Sequence, residues 1–210
     1  MRRAKSKVTN MRVISGQYRS RPLRSLPGLD IRPTSDRLRE TLFDVLCAGN
    51  PDALAGSTWL DLYAGTGAVG IEALSRGAAM VHFSDASRAA ADLIAANLKS
   101  LGIASGFQII QADAAKAMRQ CELAGVQVDF IFLDPPYRLR EEYALTLAKL
   151  GKSPLITTSS SVIVEHEKRF DPAAEYGDLR RSRRLEQGDT ALSFYALIEK
   201  TNSPAFAVDV

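Results

Sequence analysis

The stretch Asp61-Leu62-Tyr63-Ala64-Gly65-Thr66-Gly67-Ala68-Val69-Gly70 decides the reading of this chain. It closes an apolar run that begins at residue 58 and opens a segment of helical character over 68–77. Glycines at such a junction let the backbone turn sharply and approach a ligand closely, and the helix that follows presents free N–H groups. Gly65-x-Gly67-x-x-Gly70 has the spacing of a dinucleotide-binding turn. Asp85 lies 20 residues after Gly65, at the end of the next apolar run, where a carboxylate suits a ribose diol. These residues leave two ligands open, a nicotinamide dinucleotide and an adenosyl cofactor such as S-adenosylmethionine. Asp61 favours the second, because a carboxylate at that strand end can receive an ammonium group or its water shell and would repel a pyrophosphate.

Outward from this stretch the pattern is regular. Apolar runs at 58–64, 80–84, 107–111, 128–133 and 160–165 alternate with helix-like segments at 68–77, 86–101, 114–124 and 139–150. Strand and helix in alternation at this spacing predict a parallel sheet with helices on both faces. Leu179–Leu185 and Ala191–Glu199, joined by Glu186–Thr190, predict an antiparallel hairpin at the end. Upstream, Met11–Ser15 and Pro22–Leu26 read as a hairpin or irregular arm. A helix over 36–48 follows, capped by Thr34 or Ser35 and stopped by Gly49-Asn50-Pro51, with Leu38, Leu42, Val45 and Leu46 on one face. Residues 1–10 and 201–210 read as a disordered basic tail and a flexible tail. Residues 11–50 form the arm and helix, and 51–200 the main domain.

With 210 residues, 46% hydrophobic and 24% charged, the chain has the composition of a globular protein and needs no disulfide or metal staple. No apolar stretch approaches the roughly 18 residues of a membrane span. Cys47 and Cys121 lack the spacing of a disulfide framework or a zinc site, so no metal is expected. The net charge of +3 conceals an asymmetry: residues 1–40 hold eleven Lys/Arg against three acids, a net +8, and the other 170 residues therefore carry −5. A basic arm on a mildly acidic body is the footprint of a nucleic-acid binder. The first 29 residues contain no acid, mildly like an organellar transit peptide, but the basic stretch runs into patterned sequence, and a cytoplasmic protein is the expectation.

Two further strand ends carry carboxylates. Gln111-Ala112-Asp113-Ala114 follows the third run, where Asp113 suits an adenine amino group. The fourth run ends in Asp134-Pro135-Pro136-Tyr137. Carboxylates at successive strand ends point into the crevice where open α/β sheets bind ligands, although any one of them could merely cap the helix after its strand. The two prolines fix φ and leave rigid carbonyls aimed outward. A carboxylate and such a carbonyl together accept both hydrogens of an exocyclic NH₂ group, which localises its lone pair for attack on a methyl sulfonium. Tyr137 offers a face for stacking a splayed base.

The Asp61-to-Gly67 turn and Asp134-Pro135-Pro136-Tyr137 resemble the class I S-adenosylmethionine-dependent methyltransferases that act on amino groups of bases. Four further stretches narrow the likeness: Met11-Arg-Val-Ile-Ser-Gly16; Arg32-Pro-Thr-Ser-Asp-Arg37-x-Arg39-Glu40-x-x-Phe43; Gly70-Ile-Glu-Ala-Leu-Ser-Arg-Gly77-Ala; and Gly188-Asp-Thr-Ala-Leu-Ser-Phe-Tyr195. They are similar to the RsmD family, which methylates N2 of a guanine (guanine 966) in 16S ribosomal RNA, and the likeness spans about residues 11–199. It implies a Rossmann-like α/β fold with a seven-stranded mixed sheet, its last strand reversed, and a basic N-terminal arm. It implies that Asp61, Tyr63, Ala64, Gly65, Thr66, Gly67, Asp85, Asp113 and Ala114 hold S-adenosylmethionine. It also implies that Asp134, Pro135, Pro136 and Tyr137 hold the target guanine. Arg19, Arg21, Arg32, Thr34, Arg37, Arg39, Arg181, Arg183 and Arg184 would cover the cofactor or meet RNA. That family often has Glu where this chain has Asp85.

The expected partner is 16S ribosomal RNA, in the small subunit or an assembly intermediate, with the protein a monomer and no membrane involved. A DNA adenine-N6 methyltransferase and a non-catalytic RNA-binding assembly factor are the alternatives. A protein glutamine methyltransferase and a nicotinamide oxidoreductase fit less well.

Overall fold

A computed structural model describes residues 11–25 and 35–198. The expected tails at 1–10 and 201–210 lie outside them. Five α/β units run in order. The strands are β1 (Thr58–Leu62), β2 (Met80–Asp85), β3 (Phe107–Gln111), β4 (Phe130–Leu133) and β5 (Ser161–Glu167). The helices are α1 (Asp36–Leu46), α2 (Ala68–Ser75), α3 (Arg88–Leu101), α4 (Ala114–Leu123) and α5 (Arg140–Leu150). The last three strands are β6 (Glu175–Tyr176), β7 (Leu179–Gln187) and β8 (Thr190–Leu197).

They form one eight-stranded sheet in the order β3-β2-β1-β4-β5-β8-β7-β6. β1 to β5 are mutually parallel, and β8 is antiparallel to both β5 and β7. The reversed last strand is as expected, but the sheet has an eighth member. β6 is two residues long, too short to show a period-2 pattern, and a tight turn at Gly177 (φ 63°) pairs it with the start of β7. The chain winds from β1 toward β3 and then returns to β4, so the order reverses between β1 and β4, the position where such sheets open a crevice.

Side chains alternate across the strands into two cores. On one face Trp59, Ile71, Val81, Phe83, Ile94, Phe132 and Phe194 pack with α1 and the N-terminal arm. On the other Leu60, Leu62, Ile131, Leu133, Val162 and Val164 pack with α4 and α5. Trp59 is fully buried, stacked 4.7 Å from Phe130. Burial of each such side chain stabilises by roughly 1.5–3 kcal/mol. Gly70 sets the approach of α2 to the sheet: a Cβ there would stand 2.3 Å from Phe83 Cε1 and 2.7 Å from Val81 Cγ1.

The arm is an irregular hairpin with one antiparallel bridge between Arg12 and Pro22. It is held to α2 rather than to the sheet. The Ile14 and Ser15 N–H groups donate to the two oxygens of Glu72 at 2.7 and 2.9 Å. Ser75 Oγ donates to the Ser15 carbonyl at 2.5 Å and accepts from the Tyr18 N–H at 2.9 Å. At Gly16 (φ 79°) a Cβ would fall 1.9 Å from the Ser75 carbonyl oxygen. Met11, Val13 and Leu23 join the same core as α1 and the sheet, so residue 50 marks no break between hydrophobic cores.

Glu72 is the centre of this attachment. It is wholly buried, accepts from Arg76 Nε at 2.8 Å and lies 3.8 Å from Arg39 Nη1. Arg39 is buried as well and donates to the Arg12 carbonyl at 2.8 Å and to Asp36 at 2.6 Å. Removing one partner of such a network leaves the other charge uncompensated. Glu72→Ala is expected to destabilise the protein by about 3–5 kcal/mol in chemical denaturation. It should also raise hydrogen exchange at Ile14 and Ser15 above that of β1. A loss below about 1 kcal/mol would contradict the role given to Glu72.

Candidate active site

The crevice lies at the carboxyl ends of β1, β2, β4 and β5. Gly65 (φ 55°) and Gly67 (φ 76°) turn the chain from β1 into α2. Gly67 is the N-cap of α2 and contributes no side-chain acceptor. The Gly70 N–H is taken by Asp61 Oδ2 at 3.0 Å, which leaves the N–H groups of Ala68 and Val69 without an intrahelical acceptor. Tyr63 also has a left-handed backbone, φ 63°, rare for a residue with a side chain and costing about 1–2 kcal/mol. Its hydroxyl donates to Glu142 Oε2 on α5 at 2.7 Å. Ala64 is partly buried, and its N–H donates to the Ser84 carbonyl.

Asp85 is partly exposed and accepts from the Gly65 N–H at 2.9 Å and the Ser87 N–H at 2.8 Å, which fixes its carboxylate against the glycine turn. Asp113 is exposed and caps α4, accepting from the Lys116 N–H at 2.9 Å. Its carboxyl is held below the usual range by hydrogen bonds from the backbone and side chain of Lys116. Ala114 is the buried first residue of α4. Thr66 does not present its side chain to the crevice: it is buried, with Oγ1 3.7 Å from Met11 Sδ, so only its backbone is available.

Asp134 is partly buried at the end of β4. In register, Asp61 lies opposite Phe132 of β4, and Leu133 opposite Val164 of β5. Continuing that register brings Asp134 beside Glu165, a buried acid that the sequence reading did not single out. Its only signal was a carboxylate directly after the apolar run Val162-Ile163-Val164. Burial, then the charges of Glu165 and Asp61, push the Asp134 carboxyl well above the carboxylate range. Burial also pushes Asp61 up to about 7; the Gly70 N–H opposes the rise and the Asp85 charge adds to it.

The two proline carbonyls differ. Pro135 O accepts from the Tyr143 hydroxyl at 3.2 Å, and Pro136 O is turned back into the loop to accept from the Leu139 N–H at 2.7 Å. The Pro136 carbonyl thus stiffens the loop from within. Tyr137 stands partly buried beside it.

The arginines divide. Arg19, Arg21, Arg37 and Arg183 are exposed. Arg39 is a correction: with no exposed surface it cannot meet RNA, and it serves the Glu72 network instead. Arg181 is bound to Asp171 at 2.6 Å, and Arg184 pairs with Asp171 and Glu186, so both are engaged by acids of the protein itself. Arg32 and Thr34 lie outside the described residues. Arg138, Arg140, Lys168 and Arg169, which the sequence reading passed over, are exposed on the segments following β4 and β5. Among the described residues no three His, Cys, Asp or Glu are grouped to hold a metal ion, and no helix is long and apolar enough to cross a membrane.

The family model described as Conserved hypothetical protein 95 matches residues 11–196. Ribosomal RNA small subunit methyltransferase D of Escherichia coli (strain K12) is 37% identical over 161 residues, 75% of each chain. The protein of that name in Haemophilus influenzae is 33% identical over 160 residues, 75% of this chain and 79% of that one. The chain belongs to the RsmD family. It is a class I S-adenosylmethionine-dependent methyltransferase in fold and enzyme class. Among solved structures, the Escherichia coli chain yhhF aligns with a TM-score of 0.74 at 29% identity, covering 89% of this chain and 97% of that one. The donor set fits the cofactor of the RsmD family. Two helix N–H groups and a glycine turn stand beside Asp85, and the buried Asp61 and Glu165 with the partly buried Asp134 between them favour a cation over a phosphate.

The folded protein holds the Asp61 proton more tightly than the unfolded chain. The Asp61 contribution to stability is therefore full at low pH and is lost as pH rises between 3.8 and about 7. Asp61→Asn keeps an oxygen for the Gly70 N–H and removes the charge. At pH 8 it is expected to be more stable than the parent by on the order of 1–3 kcal/mol, and at pH 4 nearly equal, in denaturant titrations. Curves that keep the same pH dependence would contradict the assignment.

Proposed function

We propose that this enzyme methylates N2 of a guanine in 16S ribosomal RNA, acting as a cytoplasmic monomer on the small ribosomal subunit or its assembly intermediate. The observation that carries the reading is the end of β4. There Asp134 and the Pro135 carbonyl stand together beside Asp61 and the glycine turn. The names of the relatives, ribosomal RNA small subunit methyltransferases, support the RNA substrate.

The bound cofactor supplies an electrophilic methyl group on a positively charged sulfur. Asp61 and the turn at Ala64, Gly65 and Gly67 hold its amino-acid part, Asp85 its ribose hydroxyls, and Asp113 with the Ala114 N–H its adenine. The target amino group donates one hydrogen to Asp134 and the other to the Pro135 carbonyl, which draws its lone pair out of the ring and aims it. As N–CH₃ forms, the methyl would leave the sulfonium with the bonding pair kept by sulfur, and that nitrogen gives up a proton. Asp134, made more basic by burial and by its acidic neighbours, is suited to take it. Tyr137 stacks on the base, which must be unstacked from its helix to enter. The exposed Arg19, Arg21, Arg37 and Arg183 contact phosphates without reading sequence.

Asp134→Asn is expected to lower single-turnover methyl transfer to small-subunit RNA by about 10²-fold or more while RNA affinity stays near that of the parent. Turnover unchanged by the substitution would sink the role given to Asp134.

A further inference from the structure

Two adjacent residues at the start of α5 reach the two halves of the crevice. The side chain of Glu142 accepts from the Tyr63 hydroxyl at 2.7 Å, and Tyr63 sits in the glycine turn with its strained left-handed backbone. The hydroxyl of Tyr143 donates to the Pro135 carbonyl at 3.2 Å. The loop between β4 and α5 is short and internally bonded, with the Leu139 N–H on the Pro136 carbonyl and the Glu142 N–H on the Leu139 carbonyl. A shift of α5 therefore moves the loop with it.

The Tyr143 ring is buried and packs against Phe170 at 5.0 Å, so its hydroxyl has little freedom. A carbonyl oxygen has two lone pairs. With Tyr143 on one, the other is left in a fixed direction for a second donor. We propose that the first turn of α5 is the positioning device of the site. Tyr143 orients the Pro135 carbonyl toward the target amino group, and Glu142, through Tyr63, holds the cofactor turn in its strained form. The proposal rests on the reading of Asp134 and Pro135 as acceptors of that amino group. Burial pushes both tyrosine hydroxyls upward, so each remains a donor at neutral pH and above.

The experiment compares the parent with Tyr143→Phe, Tyr63→Phe and Phe170→Leu. It measures S-adenosylmethionine affinity by calorimetry and single-turnover methyl transfer to small ribosomal particles. Tyr143→Phe should slow transfer by about 10-fold or more at saturating cofactor, with cofactor Kd within about twofold of the parent. Tyr63→Phe should raise cofactor Kd by about 10-fold. Phe170→Leu loosens the packing that restrains the Tyr143 ring but keeps its hydroxyl, and should slow transfer clearly less than Tyr143→Phe does. The proposal is overturned by a parent-like rate in Tyr143→Phe, by an equal loss in Phe170→Leu, or by equal cofactor weakening in both tyrosine variants. Should the parent transfer no methyl group, the functional reading fails. The cofactor titrations still judge the Tyr63 and Glu142 half, which parent-like binding by Tyr63→Phe would contradict.

Discussion

A carboxylate buried without solvent must find its hydrogen bonds inside the protein, and Glu72 finds them from three directions. The backbone of the arm supplies two, Arg76 supplies a third, and the buried Arg39 brings α1 into the same field. Among the described residues the arm's own backbone pairing is short: one antiparallel bridge between Arg12 and Pro22, with the Leu23 N–H on the Met11 carbonyl and the Val13 N–H on the Arg21 carbonyl beside it. The arm is ordered because α2 presents Glu72 and Ser75 to it. The same helix begins at the glycine turn. Asn97 of α3 completes the link: it binds both backbone groups of Arg24 and donates to the Thr66 carbonyl at 2.9 Å. Arm and glycine turn are thus tied to the same two helices.

The crevice is arranged at a cost to the free protein. Asp61, Asp134 and Glu165 stand close together at this end of the sheet, and burial, with the charges of neighbouring acids, pushes the carboxyls of Asp61 and Asp134 upward. A site of this kind is poor for a phosphate and favourable for a cationic sulfonium bearing an ammonium group. The strained backbone of Tyr63 is a second such cost, maintained by its bond to Glu142.

Most of the fold was legible because its signals are local. The alternation of apolar runs and helical segments gave five parallel strands, and Gly70 marked where α2 meets the sheet. The two-residue β6 was not legible, since a strand that short has no period. In the site, Asp61, Asp85 and Asp134 stood out in the sequence because each falls at or next to the end of an apolar run. Glu165 did not stand out, because no glycine turn or proline pair follows it and it lies inside β5. The arginines were the weakest reading, for a physical reason. A guanidinium has the same sequence signature whether it meets solvent, as Arg183 does, a partner acid, as Arg181 does, or a buried carboxylate, as Arg39 does. Only the fold supplies Asp171 and Glu72.

The most direct measurement is transfer of labelled methyl from S-adenosylmethionine to small ribosomal particles lacking the modification, beside free RNA, duplex DNA and a protein fraction, followed by nucleoside analysis. A carboxylate and a proline carbonyl set to accept both hydrogens of a guanine amino group predict label in N2-methylguanosine of small-subunit RNA. Label in N6-methyladenine, or none at all with the cofactor bound tightly, would contradict it.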